Sequence, residues 1–288
     1  MPVLKLLRIK HWIKNLFVFV PLLFAKEFSN LTALENSIFV FILFSFTASL
    51  VYVINDLHDL PKDKNHPVKK YRPLASGEIS VNQAFVIIAV LALLVLIVAL
   101  LSGISRDALI VILLYLIINL FYTFKLKQIA IIDILTISSG YVLRIYAGAF
   151  AIAVPVSHWL IITIIFLSLF LASLKRGAEL RKQKDGNETR KVLDFYSEKL
   201  IDILITVATT GVILSYILYS VSDKIYTQFN SYNFVFTAVF PMYGLFRTLQ
   251  LYYLNEKGED TIEMLLKDFP SVLNLILYGV SLFYFFAS

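Results

Sequence analysis

Seven stretches of the chain run without a single Asp, Glu, Lys or Arg: 36–55, 79–105, 108–124, 145–174, 203–222, 225–246 and 269–288. A helix rising about 1.5 Å per residue needs about 20 apolar residues to cross the hydrocarbon core of a bilayer. In that core every backbone N–H and C=O must bond within the chain, so repeated runs of this length point to a bundle of spanning helices. An eighth span covers 133–153 and is interrupted by Arg144; Pro155 separates it from the next span, which begins near Ser157. Charged residues make up 16% of the chain, against about 25% in soluble domains. The expected fold class is therefore an all-α integral membrane protein.

Residues 12–25 form a weaker ninth candidate, because their uncharged run, 15–25, is short and contains Pro21. Positive charge accumulates on cytoplasmic segments, and this favours the ninth span. With nine helices and the N-terminus inside, Lys5, Arg8, Lys10 and Lys14 join most of the other Lys and Arg on one side. In this count Arg247 follows the eighth span. Without the first span the N-terminal four fall on the opposite side. The expectation is nine helices, N-terminus cytoplasmic, in one domain covering 1–288. No small-x-small cleavage site precedes Lys26, so the first segment reads as retained. The net charge of +6 fits cytoplasmic loops rather than nucleic acid. The absence of Cys excludes disulfide and thiol chemistry, and four His without Cys disfavour a dedicated zinc site.

The most informative polar stretch is 55–77, NDLHDLPKDKNHPVKKYRPLASG. Asp56, Asp59 and Asp63 stand at i, i+3 and i+7, within one face of a helix. Three ionised carboxylates on one face repel unless a cation lies among them. Their oxygens suit Mg²⁺, which readily shares its ligands with substrate phosphates. A basic run, Lys69, Lys70 and Arg72, follows, as a phosphorylated substrate would require. An ordinary solvated loop would mix its signs, and here acid precedes base. Pro61 lacks a backbone donor and is expected to kink or end the helix near Leu60.

Other candidates lie at span ends. Tyr122, Lys125 and Lys127 close the fourth span. Asp133 opens the fifth, where it could cap the helix or join the acidic site. Arg144 lies about 16 Å deeper; it is either a buried Arg held by carbonyls and Tyr hydroxyls such as Tyr141 or Tyr146, or an anion-binding group. Lys175, Arg176 and Glu179 follow the sixth span, where basic residues could mark topology or bind a second phosphate. Residues 8–15 (Arg8, Lys10, His11, Trp12, Lys14, Asn15) suit interfacial anchoring or a phosphate clamp. His58 and His66 read as solvated loop residues.

Residues 55–63 follow N-D-x-x-D-x-x-x-D, which resembles the first Asp-rich motif of the UbiA-type polyprenyltransferase superfamily. Further segments resemble its decaprenyl-phosphate phosphoribosyltransferase branch: 66–77 (HPVKKYRPLASG), 8–24 (RIKHWIKNLFVFVPLLF), 122–135 (YTFKLKQIAIIDIL), VLRIYAG around Arg144, LKRGAEL at 174–180 and the tail element 258–268. The resemblance implies a UbiA-like bundle of nine helices, with Mg²⁺ as cofactor on Asp56, Asp59 and Asp63 and with Asn55 orienting a ligand. Lys14, Asn15, Lys70, Arg72, Tyr122, Lys127, Asp133, Arg144, Lys175, Arg176 and Glu179 are its candidate substrate-binding residues. General members carry a second Asp-rich motif after span six, where this chain has LKRGAEL. A basic pole there suits a donor with phosphate at both ends.

The implied reaction transfers phosphoribosyl from 5-phosphoribosyl-1-diphosphate to a polyprenyl phosphate and releases diphosphate. It would take place at the cytoplasmic face of a bacterial cell membrane, in cell-wall biosynthesis. The nucleophile, a lipid phosphate oxygen, is already ionised, so positioning rather than a general base supplies much of the rate. Homo-oligomerisation is left open. The alternatives are an aromatic-acceptor prenyltransferase using polyprenyl diphosphate, and an ion-coupled or lipid transporter using Asp59, Asp63 and Arg144.

Overall fold

The computed structural model describes residues 1–184, 191–254 and 261–287, and every regular element among them is helical. Among the described residues eight helical stretches are long and apolar enough to cross a membrane. They contain α1 (Leu31–Asp63), α2 (Val81–Leu101), α3 (Arg106–Phe124), α4 (Ile132–Ala151), α5 (His158–Lys184), α6 (Glu198–Ser220), α7 (Val239–Leu254) and α8 (Phe269–Ala287). Residues 185–190 of the second polar loop and 255–260, the last three of which open the tail element, lie outside the described residues.

Three expectations about the helices change. Residues 9–24 do not form one long helix. They adopt a 3₁₀ helix, Ile9–Phe19, and then a short α-helix, Val20–Phe24, with Pro21 in its first turn. Helix α1 does not end near Leu60. It continues through Pro61 to Asp63, and Lys64 N–H closes the last turn on the Leu60 carbonyl at 3.2 Å. A proline this close to the helix end removes a single N–H, so the last turn survives. The expected span 225–246 is broken. A short helix, Asp223–Phe229, stops at Asn230 in the left-handed region, a conformation Asn tolerates well. The apolar stretch then restarts at Asn233 and runs to Leu254, so Arg247 lies inside it rather than after it. Its charge is met by Asp268, whose Oδ1 accepts from Arg247 Nη2 at 2.6 Å and Oδ2 from Nε at 3.0 Å.

The chain divides into two compact units, Met1–Val156 and Ser157–Ser288, each with four of the long helices. In the first, α1 packs on α2, α3 and α4 and on the N-terminal 3₁₀ segment. One apolar cluster gathers Val40, Phe44, Ile112, Tyr115 and Ala147; a second, towards the charged end of α1, gathers Leu6, Val53, Leu74, Ile79 and Ala84. In the second unit α5 pairs along α6, and α7 with α8.

Helix α1 has 33 residues, about 50 Å of helix, more than a bilayer core requires. Its excess length carries the acidic motif past the apolar stretch that ends at Ile54.

Candidate active site

At about 100° per residue, Asp63 lies about 20° around α1 from Asp56, while Asp59 lies about 60° away on the side of Asn55. The acidic face is thus divided in two, and the structure gives each part its own cations. Asp56, 3% exposed, accepts from Arg8 Nη2 at 2.5 Å and from Arg72 Nη1 at 3.1 Å. The same Arg72 nitrogen donates to Asp63 Oδ2 at 2.6 Å. Asp59 turns to Lys127, whose Nζ lies 2.7 and 2.8 Å from the two carboxylate oxygens and 3.2 Å from Asn55 Oδ1. Asn55 Nδ2 donates to Asp59 at 3.2 Å.

The three Asp therefore do not converge on one point. Among the described residues no three carboxylate or imidazole groups gather closely enough to hold a metal ion. The reason is electrostatic: buried carboxylates need countercharge, and three basic side chains from separate elements supply it. The donor set still suits a hard cation. It is all oxygen, and one cationic nitrogen, Arg72 Nη1, already binds two carboxylates at once.

Each cation is delivered by local structure. The loop after α1 is largely exposed but ordered by its own hydrogen bonds. His66 Nδ1 accepts from the Val68 and Lys69 amides at 3.1 and 3.2 Å, and this turn leads into the 3₁₀ turn Lys69–Tyr71. Arg72 is extended (φ −68°, ψ 146°), as the residue before a proline must be, and Pro73 and Leu74 behind it are buried. Lys127 sits on the 3₁₀ turn Leu126–Gln128 after α3. Arg8 precedes the 3₁₀ segment in a left-handed conformation (φ 51°) and lies over the Tyr52 ring at 4.7 Å.

The remaining candidates are distributed as follows. Lys70 is exposed, with Nζ 5.3 Å from the Tyr71 ring centroid. Lys14 and Tyr122 are half-buried. Asp133 is fully buried in the first turn of α4, where a negative charge favours the helix N-terminus. Asn15 and Arg144 are buried and bonded to each other, Nε to Oδ1 at 2.8 Å. Arg144 also donates to the Gly140 carbonyl at 2.6 Å and the Tyr115 hydroxyl at 3.2 Å. Carbonyl and Tyr hydroxyl do hold this Arg, but the hydroxyl is that of Tyr115. Tyr141 offers only its ring face, 5.7 Å away. Both Arg144 and Asn15 are thus bonded within the bundle.

In the second unit, Lys175 is exposed and Arg176 is completely buried near the end of α5, with Nη1 bonded to Glu179 Oε2 at 2.5 Å. Gly177 allows a close approach, since a Cβ there would lie 1.9 Å from the Tyr252 hydroxyl. Arg181 crosses the Tyr252 ring at 4.3 Å and donates to its carbonyl at 3.0 Å. The Arg8–Asp56 pair joins residues 48 positions apart and the Lys127–Asp59 pair residues 68 apart; the basic run around Arg8 is the only trace of the first in the sequence.

Residues 16–268 match the model of the UbiA prenyltransferase family. The chain belongs to this family. With its eight apolar spans, this makes it an integral membrane protein of UbiA fold. Over 224 residues it is 36% identical to the decaprenyl-phosphate phosphoribosyltransferase of Corynebacterium glutamicum, covering 75% of this chain and 66% of that protein. The enzyme of the same description from Mycolicibacterium smegmatis is 33% identical over 224 residues, 76% of this chain and 70% of that protein. The chain thus spans about two thirds of the length of these UbiA relatives. The solved UbiA homologue from Archaeoglobus fulgidus bound to DMAPP and Mg²⁺ superposes with a TM-score of 0.68 at 18% identity, covering 100% of this chain and 97% of that one.

Proposed function

We propose that this UbiA family member is a Mg²⁺-dependent polyprenyl-phosphate phosphoribosyltransferase. It would transfer phosphoribosyl from 5-phosphoribosyl-1-diphosphate to a polyprenyl phosphate of decaprenyl type and release diphosphate. The observation that carries the reading is the 36% identity to a phosphoribosyltransferase over three quarters of the chain. Its agreement with the LKRGAEL stretch supports the same choice: this stretch places a basic pair where a diphosphate-on-lipid enzyme would need further carboxylates.

On this reading Asp56, Asp59 and Asp63 would turn to Mg²⁺ once Arg8, Arg72 and Lys127 release them, with Asn55 orienting a ligand. The metal would offset the negative charge that builds on the departing diphosphate. Arg8, Arg72 and Lys127 neutralise the carboxylates, and each can instead donate to phosphate oxygens once the carboxylates bind a cation. Lys14, Lys70, Lys175 and Tyr122 are further candidates for phosphate contact, Lys175 on the second unit. No general base is needed for an ionised phosphate nucleophile, so the task of these residues is to bind and align. The concentration of basic residues on one set of loops supports a reaction at the cytoplasmic face, in a bacterial cell membrane on this reading.

The test is diphosphate release by the purified protein in detergent. Release that requires Mg²⁺, phosphoribosyl diphosphate and a polyprenyl phosphate together supports the reading. Turnover only with polyprenyl diphosphate and an aromatic acceptor replaces it with ordinary prenyl transfer.

A further inference from the structure

We propose that Arg144 and Asn15 are positioning residues: their buried bond anchors the N-terminal segment along α1 and so holds the Arg8 guanidinium on Asp56. The proposal rests on the reading of the acidic end of α1 as the donor site.

Residues 7–19 run antiparallel to α1, and their contacts follow one face of it. The Phe19 and Phe41 rings meet at 5.7 Å, and Asn15 Nδ2 donates to Ser45 Oγ at 3.0 Å. Trp12 Nε1 donates to Ser49 Oγ at 3.1 Å, and Ser49 in turn donates to the Leu7 carbonyl at 2.9 Å. Arg8 then crosses Tyr52 and reaches Asp56. Positions 41, 45, 49, 52 and 56 succeed one another by three or four residues, which is one stripe of an α-helix. The segment is a strap whose last contact is an active-site carboxylate.

The strap cannot hold this shape by itself. Its 3₁₀ run has 11 residues, whereas such runs rarely exceed three or four because their hydrogen bonds are poorly aligned. Arg8 is left-handed, a strained state for a non-glycine residue that persists only where the surroundings impose it. The imposing contacts lie at the far end of the strap. Arg144 bonds Asn15 with Nε and uses Nη1 and Nη2 on Gly140 and Tyr115. Its guanidinium lies 4.8 and 5.3 Å from the Tyr115 and Phe44 rings. One turn further along α4, a Cβ on Gly148 would fall 2.1 Å from the Val18 carbonyl oxygen, so the strap backbone rests directly on this helix. A buried charge bonded to neutral acceptors adds little stability over well-packed apolar residues, but it disfavours every arrangement that leaves the guanidinium unmet. Such a group suits fixing the strap in one register.

The chain contains no Cys, so two nitroxide labels can be placed cleanly at Leu4→Cys and Tyr71→Cys, both exposed. Their distance reports whether the Arg8 end stays at the site. It is expected to be a single narrow distribution that broadens in Asn15→Leu and, less so, in the milder Ser45→Ala. In the unlabelled protein, Asn15→Leu raises the KM for phosphoribosyl diphosphate about tenfold, which corresponds to about 1.4 kcal/mol, and leaves kcat within about threefold. Arg8→Ala raises KM similarly, and combining it with Asn15→Leu adds nothing further, as expected for residues acting through one another. An unchanged distance distribution in both variants overturns the anchor, and so do KM effects that add in the double variant. If the wild-type protein turns over no phosphoribosyl diphosphate, the functional reading falls, while the label distances still decide for or against the anchor.

Discussion

Helix α1 ends in three carboxylates and takes its countercharges from residues 9 to 68 positions away, on three separate elements. Helix α5 carries Lys175 and Arg176 in its C-terminal half, and Arg176 takes a countercharge from Glu179 one turn on. Both helices bury charge, and the first draws its countercharges from three elements of its unit, whereas Glu179 answers Arg176 from within the same helix. The loop after α1, the turn after α3 and the N-terminal strap all fold so as to bring one cation each to the same helix end. A pair spaced i, i+3 adds stability to its own helix and leaves the surrounding fold free. The acidic end is therefore where sequence and tertiary structure are most tightly coupled.

The comparison can be broken most directly at Asp59. On the proposed function, Asp59→Ala lowers diphosphate release by about a hundredfold or more, the order seen when a preorganised electrostatic group is lost, while the melting curve stays cooperative. Lys175→Ala should reduce it only about tenfold, as loss of a single phosphate contact does. Equal losses would erase the contrast between the two helices. Arg72→Ala should be the most destabilising charge removal, by about 3 kcal/mol in a denaturation assay, because two buried carboxylates lose a partner. Glu179→Ala should lower stability by about 1–2 kcal/mol, since the pair lies within one helix and its Glu side chain is 25% exposed.

The smallest effect concerns Asp268. Hydrogen bonds from Arg247 and then Ser271 hold its carboxyl well below the usual carboxylate range. A depressed folded-state pKa stabilises at neutral pH, and the contribution fades as pH falls below the unfolded value of about 3.9. Asp268→Ala should cost about 1 kcal/mol at pH 7, as loss of a helix cap does, with the difference from wild type shrinking below about pH 4. Melting curves at pH 3 to 7 would check this.

The spans were legible because charge is so unfavourable in hydrocarbon that its absence marks a helix. The same criterion failed at two places for physical reasons. It did not register Asn230, whose left-handed backbone ends a helix without any charge. It also took Arg247 as a helix end, although Asp268 lets that charge sit inside one. The acidic motif and its helical spacing could be read directly, but its partners could not. Arg8 and Lys127 are near Asp56 and Asp59 only after the bundle has formed, and nothing in spacing along the chain encodes that. Arg144 was legible as exceptional, since an intramembrane Arg always demands partners, yet Asn15 and Tyr115 had to be supplied by the fold.

Three negative and three positive side chains meet at the end of α1, so their fields cancel a short distance away. On the proposed function an approaching phosphorylated substrate would be drawn there by other charges, the exposed Lys62 in the last turn of α1 and Lys64 and Lys70 on the loop after it, whose reach is about 8–10 Å at physiological salt. On that reading the protein would separate capture from sorting. Ionic strength should govern how fast a phosphorylated molecule arrives, and hardly at all how well the inner groups discriminate once it is there.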